Sequence, residues 1–328
     1  MLAARFTGNR VIAMGEEPMP LLRPEEVLMQ VAWCGLCGSD KRPWRDGFPL
    51  IPGHEVSGIV VDANGTDIPV GMRAVAYLNV YCGECRYCLI GETNRCRNPK
   101  GLLGWSSPWD GGYAEYMAVP TRDILPVDDA IGLDVAVLLL DTIGTAWHGL
   151  RLGDAASAKR ARWSWAAVRP GLGAVAGLQA FGVPEIFACD PADFRREAAA
   201  DFNATGVLPD EVAQIPDLDL VVEAVGSGPT IMQSIRAVAP GGRVVMLGEA
   251  WQPWQFEPSA ETMLKDYALI RSWYFPLTEY AENQQMLLDG RVDASLLISH
   301  LFPLAQLPEA FELFASGATR KVLVGSEA

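Results

Sequence analysis

Three short apolar runs in the second half of the chain decide the fold: Glu185-Ile-Phe-Ala-Cys-Asp190, Leu218-Asp-Leu-Val-Val-Glu223 and Gly242-Arg-Val-Val-Met-Leu-Gly248. Stretches with helical character separate these runs, and this texture begins near Thr142. Strands that alternate with helices are typical of βαβ units built around a parallel sheet. The sequence therefore predicts an α/β domain with a doubly wound parallel sheet over residues 141–284.

The first 140 residues have a different texture, rich in Gly and Pro. They contain short β-branched runs such as Val27-Leu-Met-Gln-Val-Ala-Trp33, Gly58-Ile-Val-Val61 and Arg73-Ala-Val-Ala-Tyr77. Many short strands with turn signals between them predict an all-β, barrel-like unit over residues 1–140. The pattern becomes mixed again from residue 285 and ends in the strand-like Lys321-Val-Leu-Val324, so we expect residues 285–328 to complete this unit.

Length and charge limit the class of protein. At roughly 100–200 residues per domain, 328 residues predict two domains. The chain has 26 Lys and Arg against 40 Asp and Glu, a formal charge of −14, which argues against a nucleic-acid partner because phosphates require a basic face. No apolar run approaches the roughly 18 residues of a membrane span, and the N-terminus lacks an apolar signal core, so we expect a cytoplasmic protein without a membrane partner.

Seven cysteines in such a protein favour metal or redox chemistry over disulfides, and only three histidines exclude a His-rich metal site. Four of the cysteines have the spacing Cys-x2-Cys-x2-Cys-x7-Cys, namely Cys82, Cys85, Cys88 and Cys96. Tetrahedral zinc binds thiolates, and Cys-x2-Cys steps let one short loop supply several of them. We therefore predict a structural zinc lobe. Two disulfides, four unrelated thiols and an iron–sulfur cluster are the alternatives.

A second metal site is conceivable from residues far apart in the sequence. Cys37 lies in Gly35-Leu-Cys-Gly-Ser-Asp40, and His54 lies in Pro52-Gly-His-Glu-Val-Ser-Gly58. Asp141 follows an apolar run. Three protein ligands with an open fourth position would form a catalytic zinc site. Taken singly, each residue is more often an inert packing thiol, a satisfied histidine or a surface carboxylate.

The order of the motifs resembles a known family. The Gly-Leu-Cys-Gly-Ser-Asp and Gly-His-Glu-Val-Ser-Gly motifs precede the four-Cys lobe, which is followed by Gly111-Gly-Tyr-Ala-Glu-Tyr116 and Gly144-Thr-Ala-Trp-His148. Over nearly the whole chain, this order is similar to the zinc-dependent medium-chain dehydrogenase/reductase family of alcohol, sorbitol and threonine dehydrogenases. The resemblance implies a GroES-like β-rich catalytic domain plus a Rossmann doubly wound domain, a homodimer or homotetramer, and hydride transfer between a small alcohol or ketone and NAD.

The resemblance also assigns metal ligands. Cys37 and His54 match the catalytic-zinc ligands, and Asp141 lies where the family usually has Cys or Glu as the third ligand. Aspartate can coordinate zinc through oxygen at about 2.0–2.2 Å, so this difference is chemically acceptable. Glu55 matches a carboxylate that lies near the zinc and can coordinate in its place. The implied content is two zinc ions per chain.

Further roles follow from the same resemblance. Ser39 matches the hydroxyl that relays the substrate proton, Asp40 supports the metal ligands, and Thr145 contacts the nicotinamide end of the cofactor. Several relatives have a histidine three positions after the relay hydroxyl, but this chain has Arg42, which stays protonated in proteins. The proton route beyond Ser39 is therefore unassigned. Two further thiols match no ligand position and are interpreted as packing groups, Cys34 and Cys189.

The cofactor fingerprint is only partly present. A dinucleotide domain has a strand, Gly-x-Gly-x-x-Gly, a helix and then an acid about 20 residues on. Gly171 and Asp190 fit the last glycine and the acid, and Asp190 would favour NAD over NADP, a preference that Arg195 and Arg196 weaken. Later strand ends add three candidate cofactor contacts, Val225, Gly226 and Leu247.

The strand and loop before Gly171 do not fit. They read Ala161-Arg-Trp-Ser-Trp-Ala-Ala-Val-Arg-Pro-Gly171, with Ala166 and Val168 at the first two glycine positions. A branched side chain at 168 would occupy space where the pyrophosphate needs bare backbone. A natural variant that binds phosphate differently is one interpretation. Alternatively, GC-rich codons for this segment read from their third base encode Ala-Leu-Val-Leu-Gly-Gly-Gly-Pro-Ala-Gly, which suggests compensating frameshifts.

Two functions remain open at this stage. The first is a zinc-dependent alcohol or polyol dehydrogenase, in which zinc is the Lewis acid. The second is a cofactor-impaired or non-redox relative that acts as a binding or regulatory protein, an idea motivated by the altered loop. Among enzymes, a non-redox or NADP-linked member on the same scaffold is the main rival of the first. Five aromatic residues are candidates for lining the substrate cleft: Trp44, Phe48, Trp105, Trp109 and Trp251.

Overall fold

The structure is a computed structural model that describes residues 1–164, 170–215, 217–249 and 252–326. Three residues that the sequence singled out, Ala166, Val168 and Trp251, lie outside the described residues.

Strands and helices are numbered along the chain. The strands are β1 Leu2–Gly8, β2 Val11–Glu16, β3 Glu26–Gly35, β4 Glu55–Asp62, β5 Arg73–Ala76, β6 Asn79–Val80, β7 Gly101–Leu102, β8 Tyr116–Pro120, β9 Ile124–Pro126, β10 Arg160–Ser164, β11 Glu185–Cys189, β12 Ala204–Val207, β13 Leu218–Glu223, β14 Val238–Met246, β15 Ala268–Arg271, β16 Ile298–Pro303 and β17 Lys321–Gly325. The helices are α1 Lys41–Asp46, α2 Leu133–Ala136, α3 Ala146–Leu152, α4 Pro170–Ala180, α5 Asp193–Ala200, α6 Gly228–Ala237, α7 Ala260–Met263, α8 Tyr280–Leu288 and α9 Leu307–Ser316.

The chain divides into two compact units. The first comprises Met1–Leu140, Pro276–Gln284 and Leu297–Ala328, and the second comprises Asp141–Phe275 and Gln285–Leu296. The break after residue 140 coincides with the predicted boundary, whereas the return to the first unit is not the single crossing at 284/285 that the sequence suggested. Residues 276–284 belong to the first unit because they form hydrogen bonds with it. The Leu277 N–H donates to Thr93 Oγ1 (3.2 Å), and the Tyr280 hydroxyl donates to the Pro126 carbonyl (3.0 Å).

The first unit is built around a seven-stranded sheet in the order β16-β17-β3-β4-β5-β9, with β8 also paired to β3. All of its pairs are antiparallel except β16 with β17. The unit is therefore rich in β-structure as predicted, but it is not all-β, because it also contains the helices α1, α2 and α9. Its central strand β3 pairs with three others, so the segment that follows it, which carries Cys37, is fixed by both β4 and the C-terminal strand β17.

The second unit is a six-stranded parallel sheet in the order β12-β11-β10-β13-β14-β15. The chain starts in the middle at β10, builds β11 and β12 on one side, and then returns to build β13, β14 and β15 on the other. This is the strand order of the Rossmann fold, which has its ligand crevice where the order reverses. The predicted doubly wound sheet is confirmed, and the runs at 185–190 and 218–223 form β11 and β13.

The first residues of the altered segment, up to Ser164, belong to β10 in the centre of this sheet. Strand β10 pairs with β11 on one side and β13 on the other. Central strands of parallel sheets are covered on both faces and are normally continuous apolar runs. The sequence Arg-Ala-Arg-Trp-Ser of β10 departs from that rule at the position where the fold tolerates it least.

One described helical stretch, Leu133–Leu152, is long and apolar enough to cross a membrane by length and composition. Its most apolar window has a mean hydropathy of 1.2, which corrects the expectation that no such run exists. Because 78% of that window is buried inside the protein, the stretch is accounted for as a core helix.

Asp123 is a buried carboxylate in the first unit, and neither of its oxygens has a hydrogen-bond partner within the described part of the chain. Burial raises the pKa of Asp123 well above its usual range, and the charge of Arg122 offsets this only in part. Because the folded pKa lies above the unfolded one, the contribution of Asp123 to stability is largest below about pH 4 and is lost as the pH rises through the folded value.

We therefore expect Asp123→Asn to stabilise the protein at pH 8, by about 1–3 kcal/mol, and to have little effect near pH 4. Urea unfolding of both proteins across this range measures the difference. A variant that is less stable than the parent at pH 8 would contradict the expectation.

Candidate functional site

The four-Cys lobe forms one compact cluster. Each of Cys82, Cys85, Cys88 and Cys96 offers a thiol sulfur within 4.8 Å of the others. The Cys88 sulfur lies 3.8 Å from that of Cys82 and 3.5 Å from that of Cys85. A tetrahedron with metal–sulfur bonds of about 2.3 Å has edges of about 3.8 Å, so the spacing fits a zinc ion. All seven cysteines are free thiols, which argues against the two-disulfide alternative.

Backbone N–H groups prepare this lobe for a cation. The Cys82 N–H donates to the sulfur of Cys96 (3.3 Å), and the Cys85 N–H donates to the sulfur of Cys82 (3.4 Å). Hydrogen bonds from the backbone of Arg97 and Cys88 lower the pKa of Cys85 to about 6. The thiolate is the form that binds metals, so Cys85 is prepared for an ion, whereas burial raises the pKa of Cys88 to about 12 and that thiol would lose its proton only on metal binding.

The second predicted group also comes together. Cys37, His54, Glu55 and Asp141 each offer a ligand atom within 4.8 Å of the others. The antiparallel pairing of β3 with β4 places Gly35 opposite Glu55, which brings Cys37, two residues beyond Gly35, to the start of β4. Asp141 follows directly on Leu140 and begins a π-helical turn, Asp141–Thr145, a feature often associated with functional positions.

His54 is buried, and its ring has two polar neighbours at one nitrogen. Its Nδ1 accepts a hydrogen bond from Trp105 Nε1 (3.0 Å) and lies 3.5 Å from Asp40 Oδ1. These contacts need opposite proton positions, because Trp105 requires a bare Nδ1 whereas Asp40 requires a protonated one. A metal ion held through Nε2 would require the second arrangement, in which a carboxylate supports the ligand histidine.

Asp40 is completely buried, and several donors stabilise its charge. The Tyr113 hydroxyl donates to Asp40 Oδ2 at 2.6 Å, and the Cys37 N–H donates to the same oxygen at 2.8 Å. Burial alone would raise the pKa of Asp40, but the neighbouring His54, Tyr113 and Cys37 N–H outweigh it and lower the pKa below its usual value. An ionised Asp40 is therefore part of the site.

Glu55 has a partner that the sequence did not reveal. Lys321, the first residue of β17, forms a buried ion pair with Glu55 Oε2. A side chain at Gly35 would collide with the Lys321 chain, so the glycine makes room for this pair. The sequence signal that could have indicated this ion pair is a single lysine at the start of an apolar strand. Lys321 occupies one Glu55 oxygen, and Cys37, His54 and Asp141 form a sulfur, nitrogen and oxygen set that suits zinc, with the second Glu55 oxygen as a further candidate ligand.

Ser39 lies beside this group in a one-turn helix, Gly38–Asp40. Its hydroxyl oxygen is buried and has no hydrogen-bond partner within the ranges that the structure describes. A buried polar atom of this kind calls for a ligand or water. Arg42, at the position of the missing histidine, is exposed on α1.

The four described aromatic candidates separate into two pairs. The Trp105 ring lies 5.7 Å from the His54 ring and so borders the metal group, and Phe48 packs on Trp105 with ring centroids 5.6 Å apart. Trp44 packs against Phe311 (5.1 Å), and Trp109 donates a hydrogen bond to Glu26. The second pair belongs to the packing of the unit.

The predicted cofactor residues of the second unit lie at one edge of the sheet. Asp190, the Val225–Gly226 turn and Leu247 follow the carboxyl ends of β11, β13 and β14, where open parallel sheets bind ligands. Gly171 is in the first turn of α4, and the Thr145 hydroxyl donates to Asp141 Oδ1 (3.3 Å).

Glu223 organises this edge, a role that the sequence did not predict. Its buried carboxylate accepts bonds from the Val225 and Gly226 N–H groups (2.9 Å each) and from the Thr230 hydroxyl (2.8 Å). Its carbonyl accepts the N–H of Leu247 (2.7 Å). Burial raises the pKa of Glu223, although these donors counteract part of the rise. The residue thus ties three predicted cofactor contacts together.

Asp190 is buried and already paired. Its carboxylate accepts the Ala192 N–H (2.9 Å) and lies 3.4 Å from Arg195 Nη1. A carboxylate here suits a ribose 2′-hydroxyl, whereas an arginine suits a 2′-phosphate. The site therefore contains a carboxylate that favours NAD and an arginine that favours NADP.

A β-rich unit with a four-thiol lobe, together with a Rossmann sheet, defines the class of zinc-dependent dehydrogenases. Two family models match the chain, "Alcohol dehydrogenase GroES-like domain" over residues 23–129 and "Zinc-binding dehydrogenase" over residues 171–289. The chain belongs to the zinc-dependent medium-chain dehydrogenase/reductase family, as the motif order predicted. It is an oxidoreductase of the alcohol dehydrogenase type.

Relatives and solved structures agree with this assignment. The chain is 28% identical to an L-threonine 3-dehydrogenase of Caldanaerobacter subterraneus subsp. tengcongensis over 94% of each protein. It is 27% identical to the structure of alcohol dehydrogenase TADH from Thermus sp. ATN1, with a TM-score of 0.89 over 99% of each chain. A zinc-binding dehydrogenase of Sinorhizobium meliloti 1021 bound to NADP is 25% identical, with a TM-score of 0.85 over 98% of each chain.

Proposed function

We propose that this dehydrogenase transfers a hydride between an alcohol or polyol and NAD(H) at a zinc ion held by Cys37, His54 and Asp141. The observation that carries the proposal is the convergence of these three side chains to within 4.8 Å. They are separated by 17 and 87 positions in the sequence, so chance adjacency of a thiol, an imidazole and a carboxylate is a poor explanation. The buried Ser39 hydroxyl beside them supports a proton relay.

The proposed chemistry divides between the bound groups and the chain. Zinc would supply Lewis acidity that lowers the pKa of the substrate hydroxyl, and the nicotinamide would supply the hydride acceptor. Ser39 Oγ takes the hydroxyl proton of the alcohol and passes it outward. Asp40 keeps its charge and orients His54. Arg42 cannot receive the proton from Ser39 because a guanidinium stays protonated.

We propose two zinc ions per chain, with the second in the four-Cys lobe. Four thiolates fill a tetrahedral coordination sphere, so that ion would be structural and take no part in the reaction. We further propose a cytoplasmic homodimer or homotetramer with no nucleic-acid or membrane partner.

A zinc count combined with a cofactor titration tests the proposal. We expect two zinc ions per chain and the appearance of reduced-nicotinamide absorbance with a panel of alcohols, polyols and amino alcohols. Two zinc ions with no turnover and no cofactor binding would instead favour the binding or regulatory function. The altered sequence at residues 161–169 is the observation that keeps this second function open.

The paired determinants at Asp190 give a prediction about cofactor choice. We expect Asp190→Ala to shift the ratio of NADP to NAD affinity toward NADP by about tenfold or more, because it removes a charged hydrogen-bond acceptor and releases Arg195. Titration of each reduced cofactor by fluorescence measures the ratio.

The matched control is Asp193→Ala, because Asp193 pairs with Arg196 but is 84% exposed. We expect this variant to leave the ratio within about twofold, as for a surface ion pair. An unchanged ratio in Asp190→Ala would contradict the assigned ribose contact.

A further inference from the structure

The Gly111-Gly-Tyr113 motif packs directly against the segment that carries His54. The Gly111 N–H donates to the Ile51 carbonyl (2.6 Å), the Gly112 N–H to Gly53 (2.8 Å) and the Tyr113 N–H to Pro52 (3.1 Å). A Cβ atom at Gly111 would collide with the Gly53 carbonyl oxygen, and one at Gly112 would collide with Val56. The two glycines therefore let the backbones approach and fix Tyr113 beside the metal group.

Tyr113 is fully buried and uses its two ends differently. Its ring stacks on Phe6, with centroids 5.7 Å apart and planes within 2° of parallel. Its hydroxyl donates to Asp40 Oδ2 at 2.6 Å, a short bond of the kind that an ionised acceptor makes. The ring thus provides packing, and the hydroxyl provides a separate polar contact.

The Asp40 carboxylate touches both of the first two proposed zinc ligands. Its Oδ2 accepts the backbone N–H of Cys37 (2.8 Å), and its Oδ1 lies 3.5 Å from His54 Nδ1. The Tyr113 hydroxyl bonds to Oδ2 and so fixes the rotation of the carboxylate about its last bond. That rotation decides whether Oδ1 faces the imidazole ring.

We propose that Tyr113 is a positioning residue for the catalytic zinc: its hydroxyl holds the Asp40 carboxylate in the orientation that supports His54 and Cys37. The inference rests on the proposed function, because it concerns the same metal site. It gives the Gly-Gly-Tyr motif a chemical purpose beyond packing.

The test compares two variants that each remove one buried hydroxyl. Tyr113→Phe keeps the ring and loses the bond to Asp40. The matched control, Tyr77→Phe, loses a bond to Thr93 Oγ1 (2.8 Å) from another fully buried ring in the same unit. Zinc release to a chelator is followed with an indicator dye. Two kinetic phases of zinc release are expected, one for each site. The phase that is absent in Cys37→Ser reports zinc release from the catalytic site, and the phase that remains reports release from the four-Cys lobe.

We expect Tyr113→Phe to weaken zinc binding at the catalytic site about tenfold, the lower end of the effect of residues that support metal ligands, and to leave the lobe phase unchanged. Tyr77→Phe should change neither phase. In a double-mutant cycle, Asp40→Asn should remove the effect of Tyr113→Phe, because the hydroxyl acts through that carboxylate.

Three results would overturn the inference. If folded Tyr113→Phe releases its catalytic-site zinc as the parent does, the Tyr113 hydroxyl has no role in metal binding. If Tyr77→Phe weakens zinc binding at that site equally, the effect of Tyr113→Phe is a general effect of packing. Failure of Tyr113→Phe to fold would make the hydroxyl a requirement of folding instead. A parent chain that binds zinc only in the lobe would look different from all of these and would overturn the proposed function itself.

Discussion

Cys37→Ala should reduce turnover at least about a thousandfold, because loss of the Lewis acid removes several kcal/mol of transition-state stabilisation. Cys37 supplies the thiolate of the proposed catalytic group, and His54 with Asp141 leaves too few ligands to hold zinc tightly. The variant should still bind one zinc per chain, because the four-Cys lobe keeps all its thiols. Metal analysis and steady-state kinetics on the same preparation measure both outcomes.

The matched control for this variant is Cys189→Ala. Cys189 is likewise a free thiol, but it is buried at the end of β11 in the other unit and belongs to no metal group in the described chain, whereas Cys37 is partly exposed. Zinc content should stay at two in the control, with activity near that of the parent. Full activity of Cys37→Ala would contradict the assignment of the catalytic site.

Ala166→Gly combined with Val168→Gly should tighten NADH binding about tenfold or more, since one phosphate hydrogen bond of the charged type contributes about 1.5–3 kcal/mol. The physical reason is that the pyrophosphate of a dinucleotide needs bare backbone N–H groups at these positions. Fluorescence titration of NADH against the parent and the double variant measures the change.

A single variant, Ala167→Gly, tests whether tighter binding comes from glycines at the fingerprint positions or only from a more flexible loop. It adds a glycine in the same loop but at a position that the fingerprint leaves free. Equal tightening by Ala167→Gly would show that flexibility alone improves binding and that the register is wrong. Resequencing the gene tests the frameshift interpretation independently, because a clean reading in the printed frame with unrelated codons would end it.

Local patterns predicted the elements that local sequence controls. The apolar runs of β11 and β13 are short, continuous and bounded by polar residues, and the structure has strands at those positions. The four-Cys lobe is a short loop, so the spacing of its cysteines in the sequence largely determines how close their sulfur atoms lie. The parallel sheet followed from the alternation of strands and helices, and the family resemblance implied the Rossmann order of its strands.

Other features depend on pairings across the chain and could not be predicted in this way. Lys321 meets Glu55 because β17 pairs with β3, and Tyr113 meets Asp40 because two glycine-rich segments pack backbone to backbone. The lysine at the start of β17 and the Gly-Gly-Tyr motif are visible in the sequence, but neither indicates which residue it contacts. The domain boundary near 276–296 was also missed, since individual bonds such as Leu277 to Thr93 decide it.

The pairing of β17 with β3 has a consequence for how the protein is made. The four lobe thiols lie within residues 82–96, whereas the pocket around Glu55 lacks its lysine until residue 321 has been synthesised and has left the ribosome. We therefore expect the thiols of the lobe to come together on the nascent chain, whereas Glu55 obtains its counter-charge only when one of the last segments docks.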